Sequence, residues 1–250
     1  MVFGIHHERG ETERMIASPK RLASTSAARL SPPFEQSGFA VIAGVLAAEE
    51  CVEITRRVPS SGDPGGRHLL AAHWCVALAA AIRGHPRVAE LIPPDHVAVQ
   101  CLWFEKSIST NWLVALHQDL GIPVAARSAD PALAGWSEKQ GVLHVQPPVE
   151  VLEQLIAIRL HLDDCDADDG PLMVVPGSHR LGRLAPEAAS RCRAERGEVA
   201  CLAARGSIVA MRPLLLHSSS RATGGSQRRV LHFLFGPRML PHGLRWRYGA

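Results

Sequence analysis

The stretch GSIVAMRPLLLHSSSRATGGSQRRVLHFLF, residues 206–235, holds three short apolar runs separated by turn-forming residues. The three runs are residues 207–211, 214–218 and 228–235. Short apolar runs bounded by Gly, Pro and Ser clusters predict β-strands. His217 falls near the end of the second predicted strand and Arg228 begins the third, so two chemically versatile side chains lie at strand ends.

The same alternation of apolar runs and turn formers extends back to residue 97. Further predicted strands are residues 97–105, 112–119, 155–162, 172–175 and 198–203. Before residue 97, a short apolar run at 38–42 is followed by helix-like spacing of apolar residues over 47–54 and 69–82. Helices first and many strands afterwards predict an α+β chain, mainly β, whose core is an antiparallel double sheet.

Length and composition predict one folded domain. The chain has 250 residues, of which 46% are hydrophobic and 20% charged. A folded chain of this length buries about 70% of the surface that its extended form exposes, so we expect a single domain over residues 31–250. Residues 1–30 lack sustained apolar periodicity and are expected to form a flexible N-terminal arm.

Charge and cysteine usage restrict the partners and the location. The 27 basic residues are nearly balanced by 24 acidic ones, which does not predict nucleic-acid binding. No apolar stretch reaches the length of about 18 residues that spans a bilayer, so no membrane partner is expected. The six cysteines form no Cys-x-x-Cys motif and no secretory signal pattern is evident, which favours a cytoplasmic location. The sequence does not indicate an oligomeric state.

Three His-x-acid triplets could present an imidazole and a carboxylate to one metal ion, because residues i and i+2 share one face of a strand. They are His6-His7-Glu8, His117-Gln118-Asp119 and His161-Leu162-Asp163. The first lies in the predicted arm, where nothing would hold its geometry. His117 and Asp119 fall at a predicted strand end, where the mouth of a barrel would lie, while His161 and Asp163 form a rival pair.

A third ligand and an anion-binding residue follow later in the chain. Iron oxygenases use two histidines and one carboxylate on one face of an octahedron, which leaves positions for cosubstrate and oxygen. His217 is the best candidate for the second histidine, and Arg228 begins the next predicted strand. A guanidinium beside a metal suits bidentate binding of the far end of a dicarboxylate. Arg229, on the opposite face of that strand, is the alternative anchor.

In order and spacing these motifs resemble the phytanoyl-CoA dioxygenase family of iron(II)- and 2-oxoglutarate-dependent oxygenases, from about Phe34 to Trp246. The resemblance includes the opening FAVIAGVL at 39–46, the segment 112–119, an acidic turn leading to Pro-Gly-Ser-His at 176–179, and the segment 206–228. It implies a double-stranded β-helix core of the jelly-roll or cupin type, with N-terminal helices packed on one sheet.

The resemblance also implies a ligand set. His117, Asp119 and His217 match the iron ligands, and Arg228 matches the anchor for 2-oxoglutarate. The acidic turn lies downstream of the metal triplet in this family, which favours His117 with Asp119 over the pair that contains His161. Further residues at positions that resemble cosubstrate contacts are Gln100, Lys106, Trp136 and Ser219. The implied cofactors are Fe(II), 2-oxoglutarate as cosubstrate and O2.

The resemblance implies a dioxygenase that converts 2-oxoglutarate to succinate and CO2 while it hydroxylates an unactivated carbon of a small organic molecule. Asp119 favours hydroxylation or another oxidation over halogenation, because halogenating relatives lack this carboxylate. Two alternatives stay open on sequence alone: a jelly-roll binding protein without turnover, and a cupin-like metalloenzyme that uses another divalent ion. Residues 122–149 are long for a simple connector and are predicted to form a loop that acts as a lid. His232 is expected to be a core histidine.

Overall fold

The computed structural model describes residues 33–58, 66–225 and 227–249. Its helices are α1 (Phe34–Ser37), α2 (Ala48–Arg57), α3 (His73–Gly84), α4 (Pro86–Ala89), α5 (Val149–Leu152) and α6 (Pro186–Arg196), with 3-10 turns at Leu69–Ala71, Ala167–Asp169 and Ser178–Leu181. Its strands are β1 (Phe39–Ile42), β2 (His96–Lys106), β3 (Val114–His117), β4 (Ile122–Pro123), β5 (Ala134–Lys139), β6 (Val142–Gln146), β7 (Ile156–His161), β8 (Leu172–Val174), β9 (Val199–Cys201), β10 (Ile208–Met211), β11 (His217–Ser219) and β12 (Arg228–Pro237).

Two antiparallel sheets form the core of the protein. The larger has the strand order β1-β10-β7-β12-β2, and the smaller has the order β3-β11-β8-β9. Every strand pair in both sheets is antiparallel. Buried side chains from both sheets, such as Met211 and Val174, belong to one apolar cluster, which confirms the predicted jelly-roll double sheet.

Alternation along β7 separates the two faces of the larger sheet. Ile156, Ile158 and Leu160 belong to the apolar cluster that also contains buried residues of α2 and α3. Arg159 and His161 occupy the intervening positions and are buried as well. Because successive side chains of a strand point to opposite faces, the N-terminal helices cover one face while the polar residues turn toward the smaller sheet. The predicted packing of these helices on one sheet is therefore confirmed.

The segment 122–149 is not the continuous loop that we predicted. It contains a small antiparallel sheet with the order β4-β6-β5. Gln140 and Gly141 connect β5 to β6 and have φ angles of 50° and 73°. Two successive positive φ angles are typical of the type I′ hairpin turn, in which a glycine carries no steric cost.

Three other boundaries differ from the sequence prediction. The strand predicted over 214–218 begins only at His217, because the Leu215 amide bonds to the Arg212 carbonyl and closes a turn at Pro213. The strand predicted over 112–119 is shorter and covers Val114–His117. The helix predicted over 69–82 starts as a 3-10 turn and becomes α-helical at His73. The predicted arm over 1–30 lies outside the described residues, and the extent of the domain stays a prediction.

Within the described part of the chain, no helix is both long and apolar enough to cross a membrane.

We expect Ile82→Ala in α3 to lower the free energy of unfolding by about 2–5 kcal/mol, because it removes a fully buried side chain from the cluster between helices and sheet. Val52→Ala in α2 is the control: its side chain is 40% exposed and the change should stay within about 0.5 kcal/mol. Urea unfolding curves of both variants measure the difference. Equal losses would contradict the assigned packing of α3.

Candidate metal centre

The pairing of β3 with β11 brings two histidines together. His117 and His217 are register partners, and their ring centroids lie 4.1 Å apart. The Nδ1 atom of each ring donates to the backbone carbonyl two residues earlier, at 2.8 Å from Ala115 and at 2.8 Å from Leu215. Because Nδ1 carries the proton in both rings, both Nε2 atoms have lone pairs available for a metal.

Asp119 completes a group that could hold a metal ion. Its backbone amide donates to the Pro213 carbonyl at 2.8 Å, which ties the loop after β3 to the turn before β11. Its Oδ1 lies 3.7 Å from His117 Nε2 and its Oδ2 lies 3.8 Å from His217 Nε2. One ligand atom from each of the three residues lies within 4.8 Å of the others. Two imidazoles and one carboxylate suit Fe(II) and leave coordination sites open.

Gln118, between the two ligands, fixes the end of β3. Its side-chain amide donates to the carbonyls of Leu214, at 2.7 Å, and Gly182, at 2.8 Å. Its side-chain oxygen accepts from the Leu184 amide at 2.8 Å. These three bonds join β3 to two neighbouring turns and hold His117 and Asp119 in place.

The charges of the three ligands suit a divalent cation. Burial lowers the pKa of His217 to about 4, although Asp119 opposes this shift. Burial also disfavours the charged form of Asp119, but His217 and the other nearby histidines outweigh it and hold the pKa of this carboxyl below its usual range. Burial likewise works against protonation of His117, but Asp119 raises its pKa above the ordinary value. At neutral pH, Asp119 is ionised and His217 neutral, as metal binding requires.

Arg228 and Lys106 form a second polar group in the same cavity. They are register partners on β12 and β2, and their side chains are 3% and 1% exposed. The Nε and NH1 atoms of Arg228 have no hydrogen-bond partner among the described residues. The Lys106 ammonium donates to the Ser219 hydroxyl at 2.7 Å and to the Ser220 carbonyl. Burial, with help from Arg228, lowers the pKa of Lys106 to about 8.

Gly170 permits the close approach of the Ser220 carbonyl and the Lys106 ammonium. Its φ angle is 61°, and a Cβ atom at this position would lie 2.4 Å from the Ser220 carbonyl oxygen and 3.1 Å from Lys106 Nζ. Its own carbonyl accepts from the Ser219 hydroxyl at 2.8 Å. A glycine is therefore required where the acidic turn meets the end of β11.

One cavity of about 430 Å³ joins these two groups. Seven of the eight predicted site residues line it: His117, Asp119, His217, Arg228, Lys106, Ser219 and Gln100. The side-chain oxygen of Gln100 is buried without a partner among the described residues. Buried N–H groups of a guanidinium are costly without an acceptor, so the Nε and NH1 atoms of Arg228 fit a ligand that brings a carboxylate to them. A dicarboxylate whose other end binds a metal between His117, Asp119 and His217 meets this requirement.

The alternative residues lie elsewhere. Arg229 forms a bidentate pair with Asp163, with Nε to Oδ2 and NH2 to Oδ1 both at 2.7 Å, and it does not line the cavity. His161 is fully buried and neither ring nitrogen has a partner among the described residues. It is not part of the group of possible metal ligands found in the described ranges. The geometry thus favours His117 over His161 and Arg228 over Arg229.

Trp136 does not line the cavity. Its ring packs against the apolar cluster between the two sheets, and the guanidinium of Arg127 lies 5.0 Å from its ring centroid. The neighbouring residues of β5, Gly135 and Ser137, are the ones that line the cavity. The predicted role of Trp136 in holding the cosubstrate receives no support from this placement.

Two residues of the cavity wall, His232 and Arg159, were not among the site residues predicted from the sequence. The Nε2 atom of His232 lies 3.9 Å from Asp119 Oδ2, and its Nδ1 lies 3.3 Å from Arg159 NH1. His232 is buried, as predicted, but it faces the metal centre. Burial and the charge of Arg159 lower its pKa to about 3, so it is neutral. The sequence signal for this position of His232 is its spacing of four residues from Arg228, because residues 228 and 232 share one face of β12.

Fold and site together define a jelly-roll protein with a candidate metal centre of two histidines and one carboxylate. The family model of phytanoyl-CoA dioxygenase (PhyH) matches residues 34–230, and the chain belongs to this family. It is therefore an iron- and 2-oxoglutarate-dependent oxygenase, as the sequence resemblance predicted. A search of curated protein sequences finds no significant match.

Solved structures support the fold. HygX from Streptomyces hygroscopicus, with nickel and 2-oxoglutarate bound, is 20% identical with a TM-score of 0.57, and the match covers 84% of this chain and 86% of that one. EctD from S. alaskensis, in its apoform, is 16% identical with a TM-score of 0.60, and the match covers 82% of this chain and 74% of that one. SnoK, a carbocyclase from nogalamycin biosynthesis, is 14% identical with a TM-score of 0.58, covering 87% and 91%.

We expect His117→Ala to abolish high-affinity binding of Fe(II) or Ni(II), because it removes one of three ligands. His161→Leu is the control, and it should bind metal like the wild type because the ring of His161 has no hydrogen-bond partner among the described residues. Calorimetric titration of the metal-free protein under argon measures both affinities. Loss of binding in His161→Leu with retention in His117→Ala would reverse the assignment.

Proposed function

We propose that the protein hydroxylates a small organic molecule, with iron held by His117, Asp119 and His217 and 2-oxoglutarate held at its far carboxylate by Arg228. The observation that carries this proposal is the buried guanidinium of Arg228, whose Nε and NH1 atoms have no hydrogen-bond partner among the described residues, in the same cavity as the three candidate metal ligands. These two N–H groups are suited to bind the far carboxylate of the cosubstrate.

The roles of the neighbouring side chains follow from their contacts. The hydroxyl of Ser219 and the ammonium of Lys106 are already joined by a hydrogen bond beside Arg228, so both can donate to the same carboxylate. Gln100 has a buried oxygen without a partner and can accept from a bound ligand or water. The apolar residues of the cavity wall, such as Leu102 and Phe104, exclude water from the space above the metal.

Bound Fe(II) would supply the oxidative chemistry, in which 2-oxoglutarate is converted to succinate and CO2 and oxygen is transferred to the substrate. The chain itself fixes geometry. Asp119 occupies a ligand position with a carboxylate, which favours hydroxylation over halogenation. The bonds from the two Nδ1 atoms to backbone carbonyls keep both imidazoles oriented, and His232 presents an uncharged ring to the far side of Asp119.

A small-molecule substrate agrees with the size of the cavity and with the structural neighbours. HygX has been crystallised with hygromycin B, and SnoK is a carbocyclase from nogalamycin biosynthesis. The cavity of about 430 Å³ is of the size that small ligands occupy in proteins. A screen by mass spectrometry for succinate and for a gain of one oxygen would identify the substrate and would separate hydroxylation from other oxidations.

Arg228→Gln should raise the dissociation constant of 2-oxoglutarate about 10- to 100-fold, which is the usual value of a hydrogen bond to a charged group. The matched control is Arg229→Gln, which removes the same charge one residue away and breaks only the pair with Asp163. Titration of the Ni(II)-loaded protein with 2-oxoglutarate measures both. Equal affinities in wild type and Arg228→Gln would contradict the proposal, as would a complete absence of Fe(II)-dependent succinate formation with every compound tested.

A further inference from the structure

The cavity contains more positive charge than the metal and the cosubstrate require. Five residues with cationic side chains line it among the described residues: Arg67, Lys106, Lys139, Arg159 and Arg228. Asp119 is the one carboxylate in the same lining, and it belongs to the candidate metal centre. Because like charges in a cavity with apolar walls repel one another strongly, such an excess favours binding of an anion.

The proposed cofactors use only part of this charge. The two charges of 2-oxoglutarate and that of Asp119 together exceed the charge of Fe(II) by one, which Arg228 or Lys106 balances. Lys139 and Arg159, which also line the cavity, lie outside this balance. Arg159 is 7% exposed, and its Nε atom has no hydrogen-bond partner among the described residues. It therefore keeps the interior positive after the cosubstrate has bound.

The small sheet places one of these cations, Lys139, in the cavity wall. Ser137 and Lys139 alternate along β5, and Ser137 pairs with His144 of β6, so the three side chains share the face that lines the cavity. Glu138, the acidic residue between them, is not in the lining. Because side chains alternate along the strand, Lys139 points into the cavity and Glu138 points away from it.

The segment that carries Arg67 is fixed against the same hairpin. The Nε2 atom of His68 lies 2.8 Å from the Gln140 carbonyl, in the turn between β5 and β6. On the other side of Arg67, the Gly66 carbonyl accepts from the Trp103 amide of β2 at 3.2 Å. These two bonds hold Arg67 between β2 and the hairpin. Burial is the main cause that lowers the pKa of His144, and Lys139 and Arg67 lower it further, in agreement with the position of all three residues in the cavity wall.

We propose that the substrate carries an oxyanion, either a carboxylate or a phosphate, which Arg67 and Lys139 bind while the carbon to be oxidised lies at the metal. This inference rests on the proposed function, because it assigns Arg228 to 2-oxoglutarate and leaves Arg67 and Lys139 to the substrate. The hydroxyl of Ser137 is placed to donate to the same oxyanion. The side chain of His144 forms the buried wall behind it.

The test uses two matched pairs of small fluorinated probes: 4-fluorobenzoate with 4-fluorobenzamide, and 4-fluorophenyl phosphate with 4-fluorophenol. Each is titrated into protein loaded with Ni(II) and saturating 2-oxoglutarate, and fluorine NMR line widths give the dissociation constants. The proteins are the wild type, the double variant Arg67→Gln/Lys139→Gln, and Arg193→Gln on the exposed face of α6 as a charge control. Binding of 2-oxoglutarate is measured separately by calorimetry, and thermal unfolding checks that each variant is folded.

We expect at least one anion to bind about tenfold more tightly than its neutral partner. This preference should fall about tenfold in the double variant and persist in Arg193→Gln. The pair that shows the larger preference distinguishes a carboxylate from a phosphate. Equal binding of anions and neutral probes, or an unchanged preference in the double variant, would overturn the inference while leaving the proposed function intact. If 2-oxoglutarate fails to bind but the preference still depends on Arg67 and Lys139, the anion site stands and the proposed function fails.

Discussion

The site depends on one register: the antiparallel pairing that sets His217 of β11 opposite His117 of β3. Because side chains alternate along a strand, a slip of one residue would turn one imidazole to the other face of the smaller sheet. The turn at Pro213 fixes this register, since its carbonyl accepts from the Asp119 amide. Gln118 adds a bond to Leu214 in the same turn. The order His-Gln-Asp thus combines two ligands with the side chain that locks their strand in place.

The larger sheet supplies the complementary half of the chemistry. Its inner face carries Arg228, His232 and Arg159, which are cations or neutral rings opposite the candidate metal ligands. Buried cations are costly without anions, and within the described cavity wall Asp119 is the one carboxylate. The separation of ligands on one sheet and anion-binding groups on the other defines where a dicarboxylate must lie: between the sheets, with one end at each.

Local sequence patterns predicted the antiparallel double sheet and most of its strands, because strand ends and turn formers are properties of short segments. The family resemblance added the jelly roll and the set of residues that converge on the cavity. The apolar pattern alone does not place His232, because β12 is apolar on both faces. Its spacing from Arg228 was the signal that it faces the cavity. The hairpin β5–β6 was missed because β5 carries few apolar residues, and its Gln140-Gly141 turn lies in a segment with other turn formers. Trp136 packs against the apolar cluster and does not line the cavity, a placement that depends on the register of that hairpin.

The central claim is that one cavity holds a metal at His117, Asp119 and His217 and a dicarboxylate that reaches Arg228. A crystal structure of the protein with Ni(II) and 2-oxoglutarate, with anomalous diffraction at the nickel edge, tests it directly. The account predicts an anomalous peak between the three ligand side chains, and a carboxylate of 2-oxoglutarate hydrogen-bonded to Arg228. A peak at His161, or a cosubstrate carboxylate bound away from Arg228, would contradict it.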